Sequence, residues 1–234
     1  MTRVLVVEDE PPIVRALTIN LQARAFEVDA APDGTTALRL AAERRPDVVI
    51  LDLGLPDMDG IDVIRALRGW TRVPLVVLSA RCTVHEKVEA FEAGADDYMT
   101  KPFDMVELLA RLRAAVRRST GDSAGGVLPT DEPPSLTVTT PDFTVDFAAK
   151  KVRRADGLVH LTPTEWHLLE LLVGTPGRLI SQRQLLEEIW GPTFGTRTNY
   201  LRVYMAQLRR KLEKDPSHPR YLITEPGMGY RFEV

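Results

Sequence analysis

Five short apolar runs, each followed by an amphipathic helical pattern, occupy the first 118 residues and constrain the fold more than any other feature of this chain. The apolar runs read Arg3–Val7, Val28–Ala30, Val48–Leu51, Val73–Leu78 and Asp97–Thr100. Between and after them, apolar residues recur at helical spacing over Ile13–Arg24, Thr35–Arg44, Ile61–Arg68, Val84–Ala93 and Met105–Arg117. Strand-then-helix repetition predicts a parallel sheet covered on both faces. The runs Val4–Val7 and Val48–Leu51 hold no polar residue, as central strands should. A doubly wound sheet follows as the expectation. With strand order 2-1-3-4-5 its ligand site would lie beyond the strand C-termini, between strands one and three.

Ionisable groups stand at those ends. Glu8 and Asp9 follow the first run, Asp52 the third, and Lys101 the fifth, just before Pro102. A carboxylate at the end of a buried strand cannot hide its charge without a partner. Three acids and a lysine at matched strand ends predict a divalent-cation site with a phosphoryl-accepting carboxylate. Mg²⁺ takes oxygen ligands and keeps several waters. Asp9 and Asp52 are the expected direct ligands, with the Gly54 carbonyl beside them and Glu8 acting through water. An Asp carboxylate can itself be the nucleophile. Lys101 would supply a positive point charge, and Ser79, at the end of the fourth strand, a hydroxyl donor to a phosphoryl oxygen.

The rest of the chain is organised differently. Residues 119–135 include Gly125-Gly126, Pro129 and Pro133-Pro134 and no aromatic residue, so they read as a linker between residues 1–118 and 136–234. Short alternating strands are expected at Leu136–Thr139, Phe143–Asp146 and Lys151–Arg153. Thr162 with Glu165, and Ser181 with Gln184, have capping-box spacing at two helix starts. A third helix is expected over Thr198–Leu212, then two short strands, Tyr221–Thr224 and Tyr230–Glu233. Three helices and a hairpin form a winged helix-turn-helix pattern of the α+β class. On the third helix Asn199, Arg202 and Arg209 fall opposite Leu201, Leu208 and Leu212, where Arg and Asn can read base edges in a major groove. Arg197, Thr198, Arg210 and Lys211 are expected to clamp phosphates.

Charge supports the division. Residues 1–119 carry 16 Lys/Arg against 19 Asp/Glu, and residues 136–234 carry 14 against 11. The basic excess concentrates between Arg197 and Lys214, which predicts an anionic partner. No apolar run approaches the ~20 residues of a membrane span, and no signal-peptide pattern stands at the N-terminus, so a cytoplasmic protein without a membrane partner is expected. One cysteine, Cys82, excludes an intrachain disulfide, and four scattered histidines make no zinc spacing.

Glu8-Asp9, Asp52, Ser79, Tyr98 and Lys101-Pro102 together make residues 1–118 resemble a response-regulator receiver domain, which has a flavodoxin-like (βα)5 fold. Leu161-Thr162-Pro163-Thr164-Glu165 and Gly227-Met228-Gly229-Tyr230-Arg231-Phe232 make residues 136–234 resemble the output domain of the OmpR/PhoB class. The resemblance implies a sensor histidine kinase as phosphodonor and promoter double-stranded DNA as target. It implies no enzyme beyond self-catalysed phosphoryl transfer to Asp52 and slow autodephosphorylation. Ser79 and Tyr98 would be switch residues. A homodimer would form on phosphorylation through the fourth helix, fifth strand and fifth helix. Its charged pairs carry over as Lys87 with Glu107, Asp97 with Arg111, and Asp96 with Arg118. The loop at 191–196 would face RNA polymerase. Leu51–Asp57, Val77–Arg81 and Tyr200–Met205 resemble the branch that controls genes of a potassium-uptake ATPase. One departure is Glu225-Pro226, where relatives often carry an Arg in the wing.

Three other readings compete. A haloacid-dehalogenase-type phosphatase needs a second acid two residues after the nucleophile, and that position is Gly54. A receiver with a protein- or RNA-binding output conflicts with the arginines of the third helix. A DNA binder indifferent to phosphorylation conflicts with the complete acidic site.

Overall fold

The structure, a computed structural model, describes residues 1–120, 137–191 and 198–234; of Thr120, Thr198 and Asn199 only the backbone is described. The chain divides into two compact units, Met1–Gly121 and Asp122–Val234. No helix among the described residues is long and apolar enough to cross a membrane.

In the first unit, strands β1 (Thr2–Val7), β2 (Phe26–Ala31), β3 (Val48–Leu51), β4 (Leu75–Ser79) and β5 (Asp97–Thr100) alternate with helices α1 (Pro11–Gln22), α2 (Gly34–Arg44), α3 (Gly60–Arg68), α4 (Val84–Ala93) and α5 (Met105–Thr120). All strand pairs are parallel, in the order β2-β1-β3-β4-β5. The doubly wound sheet expected from the alternation is therefore present. Val4, Val6, Val48, Ile50, Val76 and Leu78 point to one face and pack with Leu17 and Leu21 of α1 and Leu108, Leu109 and Leu112 of α5. Successive residues point to opposite faces. Leu5, Val7, Val49, Leu51 and Val77 are accordingly buried on the other side. Burial of each such side chain contributes roughly 1.5–3 kcal/mol, which makes β1 and β3 the least negotiable part of the sheet.

Several boundaries shift by one or two residues, and two of the shifts have a physical reason or a consequence. Strand β4 starts at Leu75 rather than Val73, because Pro74 has no N–H for a ladder. The Leu75 amide is instead taken by the buried Asp96 carboxylate at 3.0 Å. Helix α5 runs through Ser119 and Thr120, two residues into the span expected to be linker; residues 121–135 of that span lie outside the described residues.

The second unit has a four-stranded antiparallel sheet of β6 (Thr137–Thr139), β7 (Phe143–Asp146), β8 (Lys151–Arg154) and β9 (Gly157–Val159). Helices α6 (Pro163–Val173), α7 (Gln182–Trp190) and α8 (Thr198–Leu212) follow, with strands β10 (Ile180–Ser181), β11 (Leu222–Glu225) and β12 (Gly229–Phe232) in the order β10-β12-β11. Both predicted capping boxes form, Thr162 with Glu165 and Ser181 with Gln184. The strands β9 and β10, at three and two residues, are too short for a period-2 pattern and had no signal in the sequence. Strand β10 pairs across Gly229, where any Cβ would sit 2.0 Å from the Ile180 carbonyl oxygen. That contact explains the second glycine of Gly227-Met228-Gly229.

The start of α2 carries two carboxylates. Asp33 caps Thr36, while Asp57, from the loop after β3, accepts from the Gly34 and Thr35 amides at 2.8 and 2.9 Å and from the Thr35 hydroxyl at 2.8 Å. The Gly34 and Thr35 amides hold the Asp57 carboxyl down to about 2, from an ordinary 3.8. A lowered pKa means that the charged form is bound more tightly in the folded state. The stabilisation is complete above about pH 4 and lost as pH falls through about 2. Asp57→Asn is expected to melt below wild type at pH 7, with the gap narrowing between pH 4 and pH 2. Thermal melts across that range check it, and a gap that ignores pH would remove charge as the cause.

Candidate functional site

The C-terminal ends of β1, β3, β4 and β5 meet because the strands are parallel and in register. Val7 lies opposite Leu51 and the Asp52 amide donates to the Val7 carbonyl at 2.9 Å, so Glu8, Asp9 and Asp52 emerge side by side. The Lys101 amide donates to the Ser79 carbonyl at 2.9 Å, which brings Lys101 to the same edge. Carboxylate oxygens of Glu8, Asp9 and Asp52 lie within 4.8 Å of one another. Glu8 and Asp52 are buried and Asp9 is exposed.

The Lys101 ammonium reaches Asp52 Oδ2 at 2.6 Å, Glu8 Oε2 at 2.8 Å and Glu10 Oε1 at 3.5 Å. Asp52 Oδ1 accepts from the Leu53 amide at 2.6 Å and the Gly54 amide at 3.2 Å. Burial pushes the Glu8 carboxyl above its ordinary value, against the pull of Lys101. Burial lowers Lys101, but the hydrogen bonds to Asp52 and Glu8 outweigh it, and the ammonium stays charged. Three carboxylates of the cluster face one ammonium, with Glu10 at its margin. An excess of negative charge in a pocket with oxygen donors only suits a hard divalent cation. Gly60, at the start of α3, permits this geometry, since a Cβ there would sit 2.5 Å from Leu53 Cα and 2.6 Å from the Asp52 carbonyl oxygen.

Ser79 is buried and its hydroxyl accepts the Arg81 amide at 3.3 Å. Tyr98 is fully buried, and its hydroxyl donates to the Arg81 carbonyl at 2.7 Å. Burial pushes the Tyr98 phenol up to about 12, against a hydrogen bond from Ser79. The Arg81 guanidinium pairs with Asp59 at 2.9 Å and reaches the Leu53 carbonyl at 3.3 Å. Sequence reasoning missed Arg81 and Asp59, because 22 residues separate them and neither belongs to a local motif. Glu10 was adjacent to Glu8-Asp9 and could have been included.

The charged residues expected at a dimer face have partners within one chain. Arg111 holds Asp97 in a bidentate pair at 2.8 and 2.9 Å and also bonds Glu107. Asp96, expected to pair with Arg118 at the dimer face, accepts from Arg68 at 2.7 Å. Lys87 lies 5.8 Å from the Tyr98 ring centroid, and Arg118 is buried. Asp96, Asp97 and Arg111 are buried, and each is paired within the single chain, as buried charge requires.

On α8, Arg202, Ala206 and Arg210 are exposed. Arg209 and Lys211 are half-buried and have partners inside the domain. Arg209 donates through Nε to the Leu222 carbonyl at 2.9 Å and through Nη2 to Thr224 Oγ1 at 2.6 Å. Lys211 pairs with the buried capping-box acid Glu165 at 2.8 Å. Long cationic side chains bury their stems and can turn inward where an acid or carbonyl waits. Glu165 and the edge of β11 supply those partners. Arg197 and the 192–196 part of the expected polymerase loop lie outside the described residues, and the side chains of Thr198 and Asn199 are not described. Arg231 pairs with Glu225 and Glu233, so the wing cation is balanced by acids.

Removing the ammonium from this pocket should strengthen cation binding, because it removes a competitor for the same oxygens. Lys101→Met is expected to bind Mg²⁺ about tenfold more tightly, or ~1.4 kcal/mol, and to melt lower without Mg²⁺ because Glu8 loses its partner. Calorimetric titration checks the first expectation, and weaker binding would show that Lys101 orders the acids for the metal.

Comparison with known proteins gives the family of each unit. Residues 4–113 match the family described as response regulator receiver domain, and residues 156–232 the family described as transcriptional regulatory protein, C terminal. The chain is 59% identical to the transcriptional regulatory protein KdpE of Mycobacterium tuberculosis over 234 residues, all of both chains. It is 49% identical to the KDP operon transcriptional regulatory protein KdpE of Escherichia coli over 232 residues, 99% of each. A solved structure of a RitR mutant matches over 99% of each chain with a TM-score of 0.78 at 27% identity. The chain belongs to the two-component response regulators of the OmpR/PhoB class: a receiver domain followed by a winged-helix DNA-binding domain.

Proposed function

We propose that this response regulator accepts a phosphoryl group on Asp52 from a KdpD-like sensor histidine kinase and in consequence binds promoter DNA of potassium-uptake genes. The observation that carries the reading is the contact of Asp52 with Lys101 at 2.6 Å beside Glu8 and Asp9, on a chain that also carries a winged helix. The potassium target rests on the identity to the two KdpE proteins along the whole chain.

Asp52 Oδ2 is the oxygen held by Lys101, and Oδ1 is held by the Leu53 and Gly54 amides. These bonds orient the carboxylate for attack on phosphorus. Asp52, Asp9, Glu8 and the Gly54 carbonyl would hold Mg²⁺, which supplies positive charge against the repulsion between acids and phosphoryl group. Once Asp52 carries the phosphoryl group as an acyl phosphate, Lys101 can turn from the carboxylate to a phosphoryl oxygen, and the Ser79 hydroxyl can donate to another. Movement of Ser79 would pull on Arg81, whose carbonyl holds Tyr98. Phosphorylation would then shift populations rather than build a new state. A homodimer through α4, β5 and α5 would exchange in-chain ion pairs such as Asp97–Arg111 for cross-chain ones. On DNA, Arg202 is the proposed base reader, and Asn199 and Thr198 stand at the start of the same helix. Arg197, Arg210 and RNA polymerase contact by residues 191–196 complete the proposal, as does a cytoplasmic location.

One observation favours a second reading. Tyr98 is already inward and hydrogen-bonded, so DNA binding independent of phosphorylation has a structural basis. Gel shift with a duplex from a potassium-transport promoter separates the two. Wild type and Asp52→Ala are each compared with and without Mg²⁺ and a small phosphodonor. At least fivefold tighter binding in treated wild type alone is expected, within the range of typical coupling between sites. Equal binding in all four samples would establish the second reading.

A further inference from the structure

Arg209 and Glu213 lie one turn apart at the end of α8 and grip a single residue of β11 from both sides. The Leu222 amide donates to Glu213 Oε1 at 2.8 Å, and the Leu222 carbonyl accepts from Arg209 Nε at 2.9 Å. Glu213 also accepts the Arg220 and Tyr221 amides, each at 3.0 Å, and Arg209 also donates to Thr224 Oγ1 at 2.6 Å. Glu213 is 3% exposed and Leu222 fully buried.

Strand β11 is the outer strand of its sheet, so its far edge has no neighbouring strand. The hairpin itself is two strands of four residues, joined to a two-residue β10. Hairpins this short are marginal alone. A slip of one residue would move the wing by about 3.3 Å along its strand and turn every side chain over. That slip would take the Thr224 hydroxyl from Arg209 and the Leu222 side chain from the core, while the bonds of Arg209 and Glu213 to the Leu222 backbone hold the strand at its height along α8.

We propose that Arg209 and Glu213 are positioning residues that hold the wing at one height along the recognition helix, so that Arg202 and the wing meet a duplex in a single register. The inference rests on the DNA-binding reading above and assigns Arg209 to the protein interior rather than to a base or phosphate. Its contribution is to specificity, through geometry, and not to the electrostatic attraction that all duplex shares.

Full-length wild type, Arg209→Gln, Thr224→Val and Arg202→Ala would be titrated against two duplexes over a range of KCl concentrations. One duplex is selected by the wild-type chain from a random pool, and the other is a scrambled duplex of equal length. Arg209→Gln is expected to lose about tenfold of the preference for the selected duplex. Its affinity for the scrambled duplex and its salt slope should stay at wild-type values. Thr224→Val should lose roughly threefold, and Arg202→Ala should weaken binding as a direct contact. A phosphate contact would instead lower the salt slope by about one and weaken both duplexes alike. That outcome, or an unchanged preference in folded Arg209→Gln, overturns the proposal. If circular dichroism shows Arg209→Gln unfolded, Thr224→Val decides, because it spares the Leu222 bonds; an unchanged preference there overturns the proposal. Recovery of no duplex by wild type would defeat the DNA-binding reading itself, and the clamp with it.

Discussion

The Lys101 ammonium between Asp52 and Glu8 is the contact around which the receiver unit is arranged. Two buried carboxylates at neighbouring strand ends repel each other, and only a charge from a third strand end offsets that repulsion inside the pocket. The sheet brings the three together. The Asp52 amide is fixed on Val7 and the Lys101 amide on Ser79, so the side chains begin from set positions. A shift of one residue in any strand would turn them to the wrong face. The apolar residues of β1 and β3 make such a shift unfavourable, because every one of them would leave the core. Hydrophobic burial thus stabilises a charge cluster that would not assemble by itself.

The same arrangement links the pocket to the loop after β4. Leu53, whose amide donates to Asp52, is joined through its carbonyl to Arg81, and Arg81 to Ser79 and Tyr98, in a chain of contacts from the end of β3 to β5 through the loop after β4. Arg81 joins it three times, by its amide, its carbonyl and its guanidinium. A loop residue thus stands between the Asp52 turn and a buried phenol. This is a contiguous physical route with identified donors and acceptors.

The winged-helix unit uses its charges inward as much as outward. Arg154 donates to the carbonyl of Lys211, Lys211 pairs with Glu165, and Glu165 completes the cap of α6. Arg209 and Glu213 hold β11. A basic run on a helix is therefore a different thing from a basic surface. Arg202 and Arg210 are exposed, whereas the residues next to them in sequence have work inside the domain.

The parallel sheet, the two capping boxes and the acidic strand ends were legible in the sequence, since each depends on local spacing or on the constraint that parallel strands share one end; the strand order came with the resemblance to receiver domains. Residues such as Asp52 and Lys101 announced themselves as charges at the close of apolar runs. The partners of Arg209, Lys211, Asp96 and Arg81 were not legible, because each lies on another element and its approach depends on how helices pack. Strands of two or three residues likewise take their identity from a neighbour, as β10 does from Gly229. The chain by itself determined which elements form, which faces they bury and which end of the sheet carries the chemistry, because periodicity and burial act locally. Tertiary structure alone decided which charges are spent on holding the fold and which are left for a phosphoryl group or a duplex, because a charge commits to whichever partner packing brings within hydrogen-bond reach.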